Sequence, residues 1–293
     1  MGILSKSNLN LNLNLGSVES LRGGGLAARP RFNTQEFRKL IDPALDVVPA
    51  AFAQKFSQNW DAELRSYVYL REFVERNASW FADTKAEALK NGRKPADKMT
   101  KSELQQAALE MLEAAPEREE RFAEIIDQND ADGAINYWLG MLMIDPARHP
   151  STYLLVRVAR RVGEMVVMCL KDDFLAPRPS QICPAIVPMI DPPATPSFPA
   201  GHALQAYLIS YCLYNALPKI PQSTPPTSPT DPRIGLFALA QRVTENRLIA
   251  GLHFRVDNEA GEAAGKLCAD KLKGGTLYDG LVIKAQNEFP QYK

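Results

Sequence analysis

Three short runs between positions 171 and 257 hold most of the residues equipped for chemistry. They are K-D-D-F-L-A-P-R-P (Lys171 to Pro179), P-S-F-P-A-G-H (Pro196 to His202) and N-R-L-I-A-G-L-H-F-R-V-D (Asn246 to Asp257). Together they supply three cations (Lys171, Arg178, Arg247), two of the chain's three histidines (His202, His253) and one carboxylate, Asp257. Such a set can hold a tetrahedral oxyanion and carry out proton or nucleophile chemistry on it. Forked guanidinium groups match the oxygens of phosphate or vanadate better than an ammonium does, so Arg178 and Arg247 are expected as clamps and Lys171 as a point charge. Gly201 precedes a helical pattern from His202 to Leu217, and the unpaired N–H groups of such a helix start form an anion site in their own right.

The spacing within the third run sets a geometric requirement. On an uninterrupted helix, six residues from Arg247 to His253 would turn the two side chains about 120° apart, and they could not converge on one ligand. Gly251 is a suitable place for the helix to end, which lets the imidazole swing back toward Arg247. Asp257, four residues beyond His253, is expected to accept the second ring N–H, fixing the tautomer and leaving the other nitrogen free.

These runs resemble the three-part signature of the type 2 phosphatidic acid phosphatase family, which shares its fold and site with vanadium-dependent haloperoxidases. Lys171 stands six residues ahead of Arg178-Pro179, Gly201-His202 closes the second part, and Arg247, His253 and Asp257 keep the spacings of the third. Ala200 stands where the family has the serine of P-S-G-H, and Asn246 replaces the serine before the arginine. The resemblance implies an all-α helical bundle of the acid phosphatase/vanadium haloperoxidase type. It casts His253 as the nucleophile that forms a phosphohistidine and His202 as the acid that protonates the leaving alcohol. Lys171, Arg178, Gly201 and Arg247 would bind the phosphate of a small phosphorylated substrate, with no cofactor or metal. The alternative within the same superfamily is a haloperoxidase, in which vanadate would be held by His253 and His202 would assist peroxide chemistry. The short interval between His202 and Asn246 looks phosphatase-like. A third reading is a non-catalytic anion-binding or scaffold protein that has kept the pocket. With Ala200 lacking a hydroxyl, the backbone N–H groups of Gly201 and His202 remain to hold the anion, and Asn246 can still donate.

The elements that must position these residues read as helices. Trp60, Leu64, Tyr67, Leu70, Phe73 and Val74 continue a three- and four-residue rhythm that begins at Phe52 and Phe56, the mark of an amphipathic helix pair. Further helices are expected over Trp80 to Lys90, from Thr100 or Ser102 through Glu113, over Glu117 to Asp127 and over Gly133 to Ile144. Asp127 to Gly133 (D-Q-N-D-A-D-G) resembles a calcium loop, but Ala131 and Trp138 occupy ligand positions, so it reads as a solvated turn. His149, beside Pro150, reads as a turn residue with a surface or packing role. Thr152 to Asp173 carries Leu155, Val158, Val162, Met165, Val166 and Cys169 as one stripe, with Lys171 in its last turn. The segment 177–199 holds eight prolines and reads as a stiff loop rather than a helix. Beyond the polar, proline-rich stretch 218–232, helices are expected over Arg233 to Gly251 and Asp257 to Leu272.

Lys+Arg and Asp+Glu both number 34, so no global field recruits nucleic acid or an anionic membrane, and any anion site must be local. The four cysteines form no C-x-x-C and read as scattered buried thiols. No stretch approaches 18 consecutive apolar residues, and no exported-chain leader is recognised, so no membrane span and a cytoplasmic location are expected. Residues 1–30, polar and glycine-rich, read as an arm able to dock on a neighbour in a homo-oligomer, and 31–293 as one helical domain.

Overall fold

The computed structural model describes residues 60–217 and 232–289, all within the compact unit Ser57–Lys293. The N-terminal arm, Phe52, Phe56 and the loop 218–231 lie outside the described residues. The described residues are helical, with no strand among them. In chain order the helices are α1 (Ala62–Arg76), α2 (Trp80–Leu89), α3 (Lys101–Ala114), α4 (Arg118–Asp127), α5 (Ala131–Met141), α6 (Pro150–Phe174), α7 (Pro179–Ile182), α8 (Gly201–Ala216), α9 (Pro232–Ile249), α10 (Arg255–Leu272) and α11 (Thr276–Asn287).

Helix α8 is the centre. Ala203, Leu204, Ala206, Leu208, Ile209, Cys212, Leu213 and Ala216 bury most of its circumference, with Tyr214 exposed near its end, as expected for a helix largely surrounded by others. Helices α6, α9 and α10 pack around it, α1 and α11 lie against α6, and α2 lies against α10. The stripe on α6 is buried as expected at Leu155, Val158, Val162 and Val166. Gly261 and Gly265 bring α10 against α8 so closely that a Cβ at either would lie 2.5 Å from the carbonyl oxygen of Ala200 or Leu204. A polar pin crosses the core: Trp138 Nε1 donates to Ser210 Oγ at 2.9 Å, and that hydroxyl donates to the Leu236 carbonyl at 2.8 Å, joining α5, α8 and α9. Buried polar groups that are matched in this way cost little, whereas either one left alone would cost about 1–3 kcal/mol.

Local chemistry accounts for the helix starts. Thr100 and Glu103 form a reciprocal capping box on α3, and Asp61 caps α1 by accepting from Leu64 N at 2.8 Å. His149 precedes α6, stacks on Phe289 at 5.2 Å between centroids and accepts from Asp145 N, a packing role as the sequence indicates. Two expectations need correction. The proline-rich segment does hold one helical turn, α7, because Pro179 sits at its first position, where its missing N–H is not needed. The presumed solvated turn after α4 contains Gln128, which is fully buried. Helix α11 follows Gly274-Gly275, in a tail to which the residue pattern assigns no element.

Candidate active site

The third run breaks where the geometry requires. Helix α9 ends at Ile249, Gly251 adopts φ +82°, and Leu252 N–H returns to the Arg247 carbonyl at 3.0 Å. The chain thereby reverses between Arg247 and His253. Arg118 at the start of α4 holds this turn from outside, its Nε on the Ile249 carbonyl and its Nη1 on the Val187 carbonyl, both at 2.8 Å. His253 sits one residue before Phe254, the N-cap of α10, and Asp257 lies in that helix's first turn.

His253 is the hub. Its Nε2 lies 3.1 Å from Arg178 Nη1, and its Nδ1 lies 3.2 Å from Ser197 Oγ. Ser197 Oγ donates in turn to Asp257 Oδ2 at 2.6 Å. One proton arrangement satisfies all three contacts: Nδ1–H donates to the serine, the serine donates to the carboxylate, and Nε2 keeps its lone pair facing Arg178. Asp257 does not bond the imidazole directly, contrary to the expectation from its spacing. Its nearer oxygen is 3.5 Å from Nδ1, and the serine mediates. The same Oδ2 also accepts from Phe254 N at 3.0 Å, while Oδ1 is buried without a partner.

The two other cations of the first run are tied to the chain around that hub. Lys171 Nζ donates to the Pro196 carbonyl and, at 3.2 Å, to the Ser197 carbonyl, so the ammonium braces the loop that carries the serine. Arg178 binds the Thr195 carbonyl through Nε at 2.9 Å, Thr195 Oγ1 through Nη2 at 3.1 Å and the Leu252 carbonyl through Nη1 at 3.1 Å. Both are nearly inaccessible, at 4% and 5% exposure.

On the other side, Arg247 is fully buried, with Nη2 on the Ile125 carbonyl at 3.1 Å and 3.4 Å from Gln128 Oε1. Its Nε and Nη1 have no partner. Such a donor pair is an uncommon thing to leave unmatched in a protein interior. His202, in the first turn of α8, shares Gln128 with it: Nε2 lies 2.9 Å from the Gln128 carbonyl, so that nitrogen carries the proton and Nδ1 is the acceptor. Ala200 supplies no side-chain cap to α8, and its own N–H goes to the Asp257 carbonyl at 2.9 Å. Asn246 is not available to an anion. Its Nδ2 donates to Gln128 Oε1 at 2.9 Å and Glu124 Oε2 at 3.1 Å, and its Oδ1 faces Arg121.

Backbone bonds join the two halves of the set, Leu252 N–H to the Arg247 carbonyl and Ala200 N–H to the Asp257 carbonyl, and the charges of these groups act on one another. Burial, then the Lys171, Arg178 and Arg247 charges, hold His253 well below the ordinary imidazole range. Burial and then Arg247, with smaller contributions from His253 and Lys171, hold His202 at about 3, against the pull of the Gln128 carbonyl. Lys171 is lowered to about 7 by burial and by Arg178. Asp257 is pushed up to about 6 by burial, opposed by hydrogen bonds from Ser197 and Phe254 N and by the Lys171 and Arg178 charges. Arg178 and Arg247 fall only to about 10, so both remain cationic at neutral pH. The balance is two fixed cations, a lysine near its midpoint and two neutral imidazoles, with Asp257 the one carboxylate acting on them.

The structure thus brings together Lys171, Arg178, His202, Arg247, His253 and Asp257, with Gly201 opening the helix between them. Ser197, Gln128 and Thr195 were missed as site residues. Ser197 stands inside the second run, but the hydroxyl was sought at position 200. Gln128 lies in the segment read as a turn, and only its tertiary contacts reveal it. Among the described residues no group of histidine, cysteine or carboxylate side chains is arranged to hold a metal ion, and no helix is long and apolar enough to cross a membrane. No protein-family model and no curated protein sequence matches the chain.

Proposed function

We propose that this protein is a metal-independent phosphatase that hydrolyses small phosphate monoesters through a phosphohistidine on His253. The observation that carries the reading is the pairing of Arg247, buried with two unmatched N–H donors, with an imidazole whose Nδ1 is anchored by Ser197 and, through it, Asp257, and whose Nε2 lone pair faces Arg178. A phosphoryl group supplies what this set lacks: oxygens for Arg247 and for the spare hydrogens of Arg178 and Lys171, and an electrophile for Nε2.

Binding begins with an exchange. Arg178 Nη1 gives up its contact with Nε2 for a phosphoryl oxygen, freeing the nucleophile. Nε2 then attacks phosphorus, the ester P–O bond breaks with its electron pair going to the alcohol oxygen, and that oxygen takes a proton from His202. Water subsequently attacks phosphorus, the N–P bond breaks with its electron pair returning to Nε2, His202 accepts a proton from the water, and inorganic phosphate and neutral His253 are regenerated. Two burdens fall on the chain's own residues. Asp257, through Ser197, offsets the positive charge that develops on His253. His202 must become protonated although its surroundings hold it at about 3, and the dianionic phosphoryl group supplies the negative charge that raises it.

The test is an assay of the purified protein on an aryl phosphate, followed by acid-labile phosphate trapping. Wild type releases phosphate, is inhibited by vanadate and traps label on histidine, whereas His253→Ala folds with neither activity nor label. Halogenation that requires vanadate and peroxide, without phosphate release, would replace the phosphatase reading with the haloperoxidase one. Absence of both activities with vanadate still bound would leave an anion-binding protein.

A further inference from the structure

The last turn of α4 meets the site through atoms that the three runs do not contain. A helix C-terminus leaves carbonyls without intrahelical partners, and two of them are used here: Ile125 accepts from Arg247 Nη2 at 3.1 Å, and Gln128 accepts from His202 Nε2–H at 2.9 Å. Gln128 is the C-cap of that helix and is fully buried, with its main chain at His202 and its carboxamide at Arg247. What faces the carboxamide fixes its orientation. Asn246 Nδ2 at 2.9 Å and Arg247 Nη2 at 3.4 Å are both donors, so the atom they share is the oxygen, Oε1, and the nitrogen occupies the other branch. That nitrogen, Nε2, is buried and has no acceptor.

Arg247 Nε and Nη1 are in the same condition. Three buried donor atoms on two touching side chains thus lack acceptors, while neither side chain has an acceptor left over. Buried donors are matched in the great majority of protein interiors, so the coincidence points to one group that is rich in acceptors and poor in donors. Because Nε2 and Oε1 share a carbon, Nε2 lies no farther from Arg247 Nη2 than the 3.4 Å contact plus the width of an amide, within the span of one four-oxygen ion.

We propose that Gln128 is an anion-binding residue of this site, its Nε2 donating to an oxygen of the bound oxyanion beside Arg247 Nε and Nη1. The assignment rests on the anion site of the phosphatase reading and adds to it a ligand from outside the signature. A neutral donor suits the place. Burial and Arg247 already hold His202 at about 3, and a further cation at position 128 would keep its proton off still more strongly, whereas an amide binds the oxygen without that effect. Since the carbonyl of the same residue holds His202, the anion and the acid are both referred to one fixed point on α4.

The probe is inorganic phosphate, titrated into the full chain at neutral pH and followed by calorimetry and by heteronuclear NMR of the side-chain amides. In wild type the Gln128 Nε2 protons, assigned through their own backbone resonances, should move downfield and exchange more slowly along the same binding curve as the heat. The exposed Gln241 pair, bonded to Glu245, should stay in place. Gln128→Met removes the donor without adding charge and should bind phosphate roughly ten- to a hundredfold more weakly, as loss of one hydrogen bond to a charged group implies. A glutamine that only buttressed the fold would weaken binding when replaced, but its amide protons would not follow the titration. No saturable binding by wild type, Gln128 protons unmoved at saturation, or unchanged affinity in a folded Gln128→Met would overturn the proposal; if that variant does not fold, the wild-type titration decides alone. Phosphate binding that carries the Gln128 signature, without turnover of an aryl phosphate, would sink the phosphatase reading and leave this assignment standing.

Discussion

Replacing Ser197 by alanine removes the one hydroxyl between His253 and Asp257. The carboxylate cannot easily take its place. Its Oδ2 lies 3.5 Å from Nδ1 and is also held by Phe254 N at 3.0 Å. Direct bonding would need a movement of about 0.7 Å toward an ordinary N–H···O distance. The 2.6 Å contact from Ser197 to the carboxylate is charge-assisted, and such bonds contribute about 1.5–3 kcal/mol. If that stabilisation is felt as positive charge develops on His253, turnover falls roughly ten- to a hundredfold. KM for an aryl phosphate stays near its wild-type value, because Ser197 has no contact planned with the phosphoryl oxygens. A pH signature accompanies the loss. Asp257 stands at about 6, and the serine hydrogen bond is the largest influence holding it down, so the variant carboxyl titrates higher still. The acid limb of the kcat profile therefore moves to higher pH. Steady-state kinetics of Ser197→Ala between pH 5 and 8 reads both effects. Turnover within twofold of wild type, or an acid limb that does not move, would refute the relay.

Three further outcomes follow from other parts of the site. Gly251→Ala forces a left-handed backbone at φ +82° on a residue with a Cβ and sets that carbon 2.9 Å from Arg118 Nη2 and 3.1 Å from Pro188 Cα; it should cost about 2 kcal/mol in urea unfolding and lower turnover by displacing His253. Sulfate, whose charge is constant across this range, should inhibit less well as pH rises above about 7, because Lys171 loses its proton there; Lys171→Met should flatten that part of the profile, while the change near pH 6 from Asp257 persists. Ala200→Ser places a hydroxyl at the N-cap of α8 and should raise stability by about 1 kcal/mol, with turnover unchanged or higher; thermal melts and kinetics check both, and a large loss of activity would mean that the site is packed around the alanine methyl.

Local signals in the chain were enough to locate most helices and the break in the third run. Gly251 could be read because a single residue type answers a local backbone demand, and the α6 stripe because burial on one side imposes a period. Ser197, Gln128 and Asn246 could not be assigned in that way. Their roles depend on which distant segment arrives opposite them: Gln128 reaches His202 and Arg247 from more than seventy positions away, and Asn246 turns to α4 instead of toward an anion. The direct Asp257 to His253 contact failed for a related reason. Spacing of four residues sets proximity, but it does not show that a hydroxyl from another loop will occupy the gap.

The glycine seam between α8 and α10 has a bearing on how such a site can change. With backbone touching backbone at Gly261 and Gly265, the helix bearing His202 and the helix bearing Asp257 have no side-chain layer that could be trimmed or enlarged to move them apart. The reacting groups are thus mounted on a fixed gauge. Accommodation of bulkier molecules has to come from the loop 183–199, which brings Ser197 to Asp257, or from the end of α4, where Gln128 meets His202, and descendants with new preferences should carry their substitutions there while the two glycines stay.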